Sequence, residues 1–271
     1  MRQGLGAVDG AMSAVLWVAM FGTLQRGAAR WWQTLHGGAL LLVLAMSPSS
    51  YGCAHRPALL QQLYFSTLPV LPGFAVLAAL ISLVLIRIVV VTASSYGLSQ
   101  YAIEMVVRVL VLELIPLSAA LYVALRCTLP GAAALTVLRA RGGFDALRRA
   151  SLDPVRRELL PRVVGGSFAV LLFAAIACAL AMLLTYLAVY GVTLAALPRF
   201  TRTLGQIFNP GVVLIFALKS ALLSAAVALI PLVALLREAR QRRAGAELNV
   251  LVRLFSVVLV IEALSLVGNY H

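Results

Sequence analysis

Five long apolar stretches constrain this chain more than any other feature of its sequence. The hydrocarbon core of a bilayer is about 30 Å thick, and roughly 20 apolar residues cross it as an α-helix. The stretches are Pro69–Ala93, Ile103–Cys127, Val163–Val189, Gly211–Leu236 and Val250–Val267. A helix satisfies its own backbone hydrogen bonds in lipid, whereas a barrel would need strands of alternating polarity. The sequence therefore predicts an all-α integral membrane protein with five transmembrane helices.

The composition and the positions of the charges agree with a membrane protein. Hydrophobic residues make up 62% of the chain and charged residues 11%, and the mean hydropathy is +1.01, all far from the values of soluble globular domains. The net charge of +13 could indicate nucleic-acid binding. The basic residues lie, however, in short loops between apolar stretches and not on one face of a soluble domain. We therefore expect no nucleic-acid partner.

Upstream of the first stretch, the sequence predicts a helix that lies along the membrane surface. Tryptophans beside an arginine favour the headgroup level, so Trp31–Met46 is predicted to be an interfacial helix. A sixth span over Leu5–Leu24 is the alternative, which its marginal length and the internal Asp9 disfavour. The chain is thus divided into an N-terminal cytoplasmic or interfacial segment, 1–65, and a five-span domain, 66–271.

The arginines outside the spans predict the orientation, because cytoplasmic loops of membrane proteins are rich in basic residues. Loop 129–162 is therefore predicted to be cytoplasmic, and loop 190–211, with Arg199 and Arg202, to lie outside and to receive an external partner. The N-terminus is then cytoplasmic and the C-terminus external. The arginines on the predicted cytoplasmic side are Arg2, Arg26, Arg30, Arg56, Arg139, Arg141, Arg148, Arg149, Arg156, Arg157, Arg162, Arg237, Arg240, Arg242 and Arg243.

Several charged side chains fall inside the predicted spans or at their ends. Each costs about 3 kcal/mol at the bilayer centre if it stays unpaired, so we expect it to pair, to reach the headgroups or to face a wet cavity along a transport path. These residues are Arg87, Glu104, Arg108, Glu113, Arg126, Lys219 and Glu262.

Spacing suggests partners for some of these charges. Glu104 and Arg108 are four residues apart, which puts them on one helical face and predicts an ion pair. Glu113 comes just before Pro116, which can kink the helix, and Arg87 lies at a similar predicted depth as a candidate partner. Such a contact could be a switch between two packings or a static tether between helices.

Two of the cations lie near predicted helix ends. Lys219 is about two turns into the fourth span, so it is within snorkelling reach of the headgroups or, alternatively, of a lipid phosphate in an outward cavity. Arg126 lies at the inner end of its span, where it is predicted to anchor the helix at the interface.

Short motifs follow one another in a fixed order along the chain. They are Gln62-Leu63-Tyr64, Glu113-Leu114-Ile115-Pro116, Ala119-Ala120-Leu121, Arg126, Leu152-Asp153-Pro154, Arg156-Arg157, Pro161-Arg162, the lysine-serine pair in Leu218-Lys219-Ser220 and the acidic residue Glu262. In their order and spacing these motifs resemble the MlaE/YrbE permeases of lipid-transporting ABC systems. The resemblance covers about His36 to the C-terminus.

The resemblance implies an MlaE-like permease fold, with five spans behind an interfacial helix, in the bacterial inner membrane. It implies a dimer with a second permease copy, cytoplasmic ABC-type ATPase subunits, a periplasmic MCE-domain protein and a phospholipid cargo. The C-terminus would then be periplasmic. The family's coupling helix corresponds here to about Gly131–Asp153, so the residues expected to couple to the ATPase are Arg139, Arg141, Phe144, Asp145, Leu147 and Asp153.

Nothing in the sequence predicts catalysis by this chain itself. It contains no His-Glu-x-x-His motif, no Cys-x-x-Cys motif and no Gly-x-x-x-x-Gly-Lys-Ser/Thr phosphate-binding loop. The chain is therefore predicted to be a transporter membrane subunit and not an enzyme, with no metal or cofactor of its own. ATP and Mg²⁺ would be used by the partner ATPase.

The chain also departs from the family pattern in the coupling region. Ala134 stands where the family has glutamate, and Gly142-Gly143 and Arg148-Arg149 replace acidic and amide positions of the coupling helix. Either the chain is the diverged half of a heterodimer, or it forms a homodimer with a co-adapted ATPase. In function, the alternative to a lipid permease is a degenerate, non-transporting scaffold that pairs with a second permease. An unrelated small-molecule transporter is a third possibility.

Overall fold

The computed structural model describes residues 56–98, 101–149, 153–240 and 246–270, together with Gly38 and Val43. These residues are almost entirely helical and include no strand, which confirms the predicted all-α class. The helices are α1 (Arg56–Thr67), α2 (Leu71–Ser95), α3 (Ala102–Ala140), α4 (Gly143–Arg149), α5 (Val155–Tyr190), α6 (Leu197–Ile207), α7 (Pro210–Arg240) and α8 (Ala246–Tyr270).

The five predicted spans are confirmed. Helices α2, α3, α5, α7 and α8 are each long and apolar enough to cross a membrane. Because they follow one another through short connections, their ends alternate between two ends of the bundle. We call them the α4 end, where α3 and α7 finish and α5 begins, and the α6 end, where α3 and α7 begin and α8 finishes.

Two helices extend well beyond the stretches that hydropathy marks. Helix α3 continues past Cys127 to Ala140, and α5 begins at Val155, ahead of the predicted start at Val163. Hydropathy detects only the apolar part of a helix that can lie in the hydrocarbon core. The extension of α3 is amphipathic and is stabilised by packing one side against the bundle, where Ala132 and Leu135 are buried. Most of predicted loop 129–162 is therefore helical, and loop 190–211 contains α6.

Helix α3 is irregular in two places. The turns Val107–Leu114 and Ala124–Thr128 are π-helical, with one extra residue per turn. Pro116 follows the first of these turns, and a widened turn is one way in which a helix accommodates a residue that cannot donate a backbone hydrogen bond. Single π-turns are frequent at functional sites, and Glu113 lies in this one.

The core lies between α3, α5 and α7. Around the bundle, α2 and α1 pack against α5, and α8 packs against α7. Three aromatic rings fill the centre: Phe173 stacks on Phe74 with ring centroids 5.0 Å apart, and Tyr122 tilts against Phe74 at 5.1 Å. These contacts fix α2, α3 and α5 relative to one another.

Little of the N-terminal segment can be compared with its prediction. The alternative span Leu5–Leu24 lies outside the described residues, as does the interfacial helix over Trp31–Met46, apart from Gly38 and Val43, which are both helical. Gly38 is buried and lies beside Leu229 of α7. Helix α1 crosses the predicted boundary between segments 1–65 and 66–271.

Gly166 of α5 lies in close contact with α3 and α7. A Cβ at this position would be 3.0 Å from Thr128 Cγ2 and 3.4 Å from Ala228 Cβ. We expect Gly166→Leu to push the helices apart and to lower the free energy of unfolding by about 1–3 kcal/mol, as overpacking does. Thermal unfolding in detergent measures this. Gly205→Leu on α6, where a Cβ would meet nothing within 4 Å, is the control, and an unchanged melting temperature for Gly166→Leu would contradict the packing argument.

Candidate functional site

A buried lysine marks the most polar point inside the bundle. Lys219 of α7 is 3% exposed. Its ammonium donates to a Glu113 carboxylate oxygen, to Glu262 Oε1 at 2.8 Å and to the Leu112 carbonyl at 3.1 Å. An ammonium has three N–H donors, so each of them has an acceptor. The lysine is therefore fully satisfied without water.

The two carboxyl groups are bonded unequally. Glu113 accepts from Lys219 on one oxygen and from Asn269 Nδ2 at 3.2 Å on the other. Glu262 accepts from Lys219 on Oε1, but among the described residues its buried Oε2 has no hydrogen-bond partner, and neither has the buried Oδ1 of Asn269. We call Glu113, Lys219, Glu262 and Asn269 the Lys219 cluster. It ties together α3, α7 and α8.

The Lys219 cluster lies inside the apolar part of the bundle. Lys219 is nine residues from the start of α7 at Pro210, and Glu262 is eight residues from the end of α8 at Tyr270. At 1.5 Å per residue, the backbones of Lys219 and Glu262 lie on the order of 12 Å inside the helix termini of the α6 end, while Asn269 is one residue from the end of α8. At this depth a charge without a partner is costly, which explains why the side chains converge.

Two ion pairs were predicted from the sequence, and the structure contains one of them. Arg108 Nε donates to Glu104 Oε1 at 3.0 Å, so the predicted pair within α3 is confirmed. The proposed pairing of Glu113 with Arg87 is wrong. Arg87 is exposed on α2 and makes no ion pair with the part of the chain that the structure describes. Equal depth along two helices does not make two side chains face each other, because each helix also has a rotation about its own axis.

The snorkelling prediction for Lys219 is also wrong. Its side chain is buried among α3, α7 and α8 instead of reaching toward the headgroups. Sequence reasoning also missed Asn269 as a member of the cluster. The available signal was its spacing of seven residues from Glu262, which places both on one face of α8. Arg126 is exposed, and its role as an interface anchor stays a prediction.

Arginines at the α4 end join helices that are distant in sequence. Arg162 of α5 donates to the Gly131 carbonyl of α3 at 2.7 Å and pairs with Glu158 at 3.3 Å. Arg139 of α3 donates to the Leu236 carbonyl of α7 at 3.2 Å. These bonds connect the extension of α3 to the two helices that flank it.

The predicted coupling residues do not lie on a single helix. Helix α3 ends at Ala140, and Gly142 takes a left-handed conformation, with φ of 76°, before the short helix α4 begins. The expectation of one coupling helix over Gly131–Asp153 is therefore wrong. Because a left-handed residue is easiest for glycine, Gly142 sets the position of the break.

The side chains of α4 and its neighbours are exposed to different degrees. Phe144 packs partly against the chain's own core at the α4 end, and Leu147 is half-buried. Arg139, Arg141 and Asp145 are exposed. Asp153 instead caps α5, since its Oδ1 accepts from the Val155 amide at 3.0 Å.

The bonds of Arg162 lead to a stability prediction for the α4 end. The substitution Arg162→Ala removes the charged donor from both the Gly131 carbonyl and Glu158. We therefore expect the free energy of unfolding to fall by about 1.5–3 kcal/mol. Faster amide hydrogen exchange in the extension of α3 would report it. Arg157→Ala, which removes an exposed neighbour, is the control and should leave exchange unchanged. Equal exchange in the two variants would show that the Arg162 contacts do not hold α3 in place.

Comparison with known proteins gives a family match. The family model described as Permease MlaE matches residues 59–267, from α1 through all five long helices. No curated protein matches the chain at the similarity required of a relative.

Proposed function

The chain belongs to the MlaE permease family, and from this we propose that it is the membrane subunit of an ATP-driven phospholipid transporter in the bacterial inner membrane. The observation that carries the proposal is the extent of the family match, which includes every long apolar helix. Five helices of this length are those of a multi-pass membrane protein, and a permease of this family works with an ATPase and a substrate-binding partner.

We propose that the α4 end faces the cytoplasm and receives an ABC-type ATPase, which would use ATP and Mg²⁺. The concentration of arginines at this end supports the orientation. The C-terminus and α6 would then face the periplasm, where an MCE-domain protein would bind. A second permease copy would complete the transporter.

The bonds at the α4 end offer a route from the ATPase to the membrane. A movement of α4 would displace α3, because the two helices are joined by the short Arg141-Gly142 link. It would also displace α7 through the bond of Arg139, and α5 through the bond of Arg162. Helix α3 also holds Glu113, so a movement of α3 would strain the contact between Glu113 and Lys219. The cluster would act as a tether that keeps α3, α7 and α8 together, or as a switch if its contacts break during transport.

Co-purification tests this proposal most directly. The tagged chain is extracted from its native membrane in mild detergent, its partners are identified by mass spectrometry, and the permease copies are counted by native mass spectrometry. We expect an ABC-type ATPase and an MCE-domain protein. A second, different permease would make this chain one half of a heterodimer. Recovery of neither the ATPase nor the MCE-domain protein would overturn the proposed transport function.

A non-transporting scaffold is the second candidate function. It is favoured by the break at Gly142, which leaves α4 only seven residues long, and by Ala134 in place of the family glutamate. The permease and scaffold functions can be distinguished in proteoliposomes that contain the purified complex. The measurement is the ATP-dependent movement of labelled phospholipid. Movement that requires this chain supports the permease, whereas a complex that moves lipid equally well without it supports the scaffold.

A further inference from the structure

We propose that the Lys219 cluster is a proton-binding site, and that at neutral pH Glu262 holds the proton as a neutral carboxylic acid. The proposal does not depend on lipid transport, because it concerns only the charges inside the bundle. Its starting point is a count of those charges. One ammonium, on Lys219, faces two carboxyl groups, on Glu113 and Glu262. With both carboxyls ionised, the cluster would carry one uncompensated negative charge.

In the part of the chain that the structure describes, no second cation forms an ion pair with either carboxyl group. On α3, Arg108 is half-exposed and already paired with Glu104. On α2, Arg87 is exposed at the surface. Helix α5 contributes Cys178, whose thiol lies 3.9 Å from the Val111 carbonyl and is no cation. Among the described residues, Lys219 is therefore the one cation that contacts the two carboxyls.

Burial makes an uncompensated charge expensive. The side chains of Lys219, Glu113 and Glu262 are 2%, 10% and 12% exposed. In surroundings of low dielectric constant, a carboxyl group with no counter-charge avoids the cost of burial by taking up a proton. Two carboxyls that share one site commonly hold a single proton between them.

The hydrogen bonds assign the proton to Glu262. Both oxygens of Glu113 accept hydrogen bonds, from Lys219 and Asn269, and such bonds stabilise an ionised carboxylate. Glu262 has a donor on Oε1 alone, and its Oε2 is buried without a partner. The ionised form would leave charge on that unbonded oxygen, so the neutral acid is the form that this position favours.

The proposal has a definite consequence for stability. In the unfolded chain Glu262 is ionised at neutral pH, so the folded state binds one proton more than the unfolded state. Stability therefore falls as the pH rises through the neutral range. With Glu113→Gln or Glu262→Gln, one ammonium faces one carboxylate, the extra proton is no longer needed, and this dependence on pH should disappear.

Infrared spectroscopy of the purified full-length chain in detergent tests the site. The probe is the carbonyl stretch of a protonated carboxyl group, recognised by its shift in D₂O. We expect this band at neutral pH in the wild type, its loss in Glu262→Gln and in Glu113→Gln, and a roughly twofold stronger band in Lys219→Met. Glu158→Gln, which removes a carboxylate paired with Arg162 at the α4 end, is the control and should keep the band.

The outcomes separate clearly. Absence of the band from the wild type at neutral pH, or its persistence in a folded Glu262→Gln variant, overturns the proposal. If Glu262→Gln does not fold, Glu113→Gln gives the same information, because it also removes the need for the proton. The wild-type chain itself provides a second measurement: a melting temperature that does not fall between neutral and mildly alkaline pH would also overturn the proposal.

Discussion

Lys219→Met destabilises the folded chain by about 3–5 kcal/mol, which is the usual cost of removing one partner from a buried ion pair. The substitution keeps the length of the side chain but removes the counter-charge of Glu113, which must then stay ionised without a partner or take up a proton as Glu262 does. It also leaves the Leu112 carbonyl without the ammonium donor. In detergent, we expect the melting temperature to fall on the order of 10 °C.

A compensating variant tests whether charge is the cause. Lys219→Met combined with Glu113→Gln and Glu262→Gln removes the whole charged set and should recover most of the lost stability, since a buried ion pair adds little over a neutral group of similar shape. Arg87→Met is the matched single control, because it removes an exposed cation from a span. If the triple variant is no more stable than Lys219→Met alone, the loss comes from packing and not from unpaired charge.

Leu147→Asp abolishes most of the ATPase activity of the assembled complex if α4 is the docking element. Leu147 is half-buried on α4, so part of its surface is free to contact a partner. An unpaired carboxylate in an apolar contact costs about 3 kcal/mol, which is on the order of a 100-fold loss of affinity. We expect at least a tenfold lower ATPase rate in the purified complex at fixed ATPase concentration.

We chose Leu147 instead of Phe144, and we chose the control residue, by the exposure of their side chains. Phe144 packs partly against the chain's own core, so a charge there would also disturb the fold. Leu98→Asp makes the same change at the opposite end, on a side chain that is 42% exposed between α2 and α3, and should leave the rate unchanged. Both variants should melt at the wild-type temperature. A Leu147→Asp complex with full ATPase activity would remove α4 from the coupling interface and favour the scaffold.

Local information in the sequence was enough for several features of the protein. Hydropathy located all five spans, because a helix in lipid needs only a long apolar run. The Glu104–Arg108 pair was predictable from a spacing of four residues. The order of short motifs over the spans identified the family, and the matching family model confirms it.

Only the tertiary structure decided which charges meet. Lys219 bonds to Glu113 across 106 residues and to Glu262 across 43, while Arg162 reaches Gly131 across 31. Hydropathy gives the depth of a residue in the membrane but not the rotation of its helix or the identity of the neighbouring helix. Arg87 has a depth suited to Glu113, yet it lies on the surface of α2, because the packing of α3 against α5 and α7 turns Glu113 toward α7 and α8.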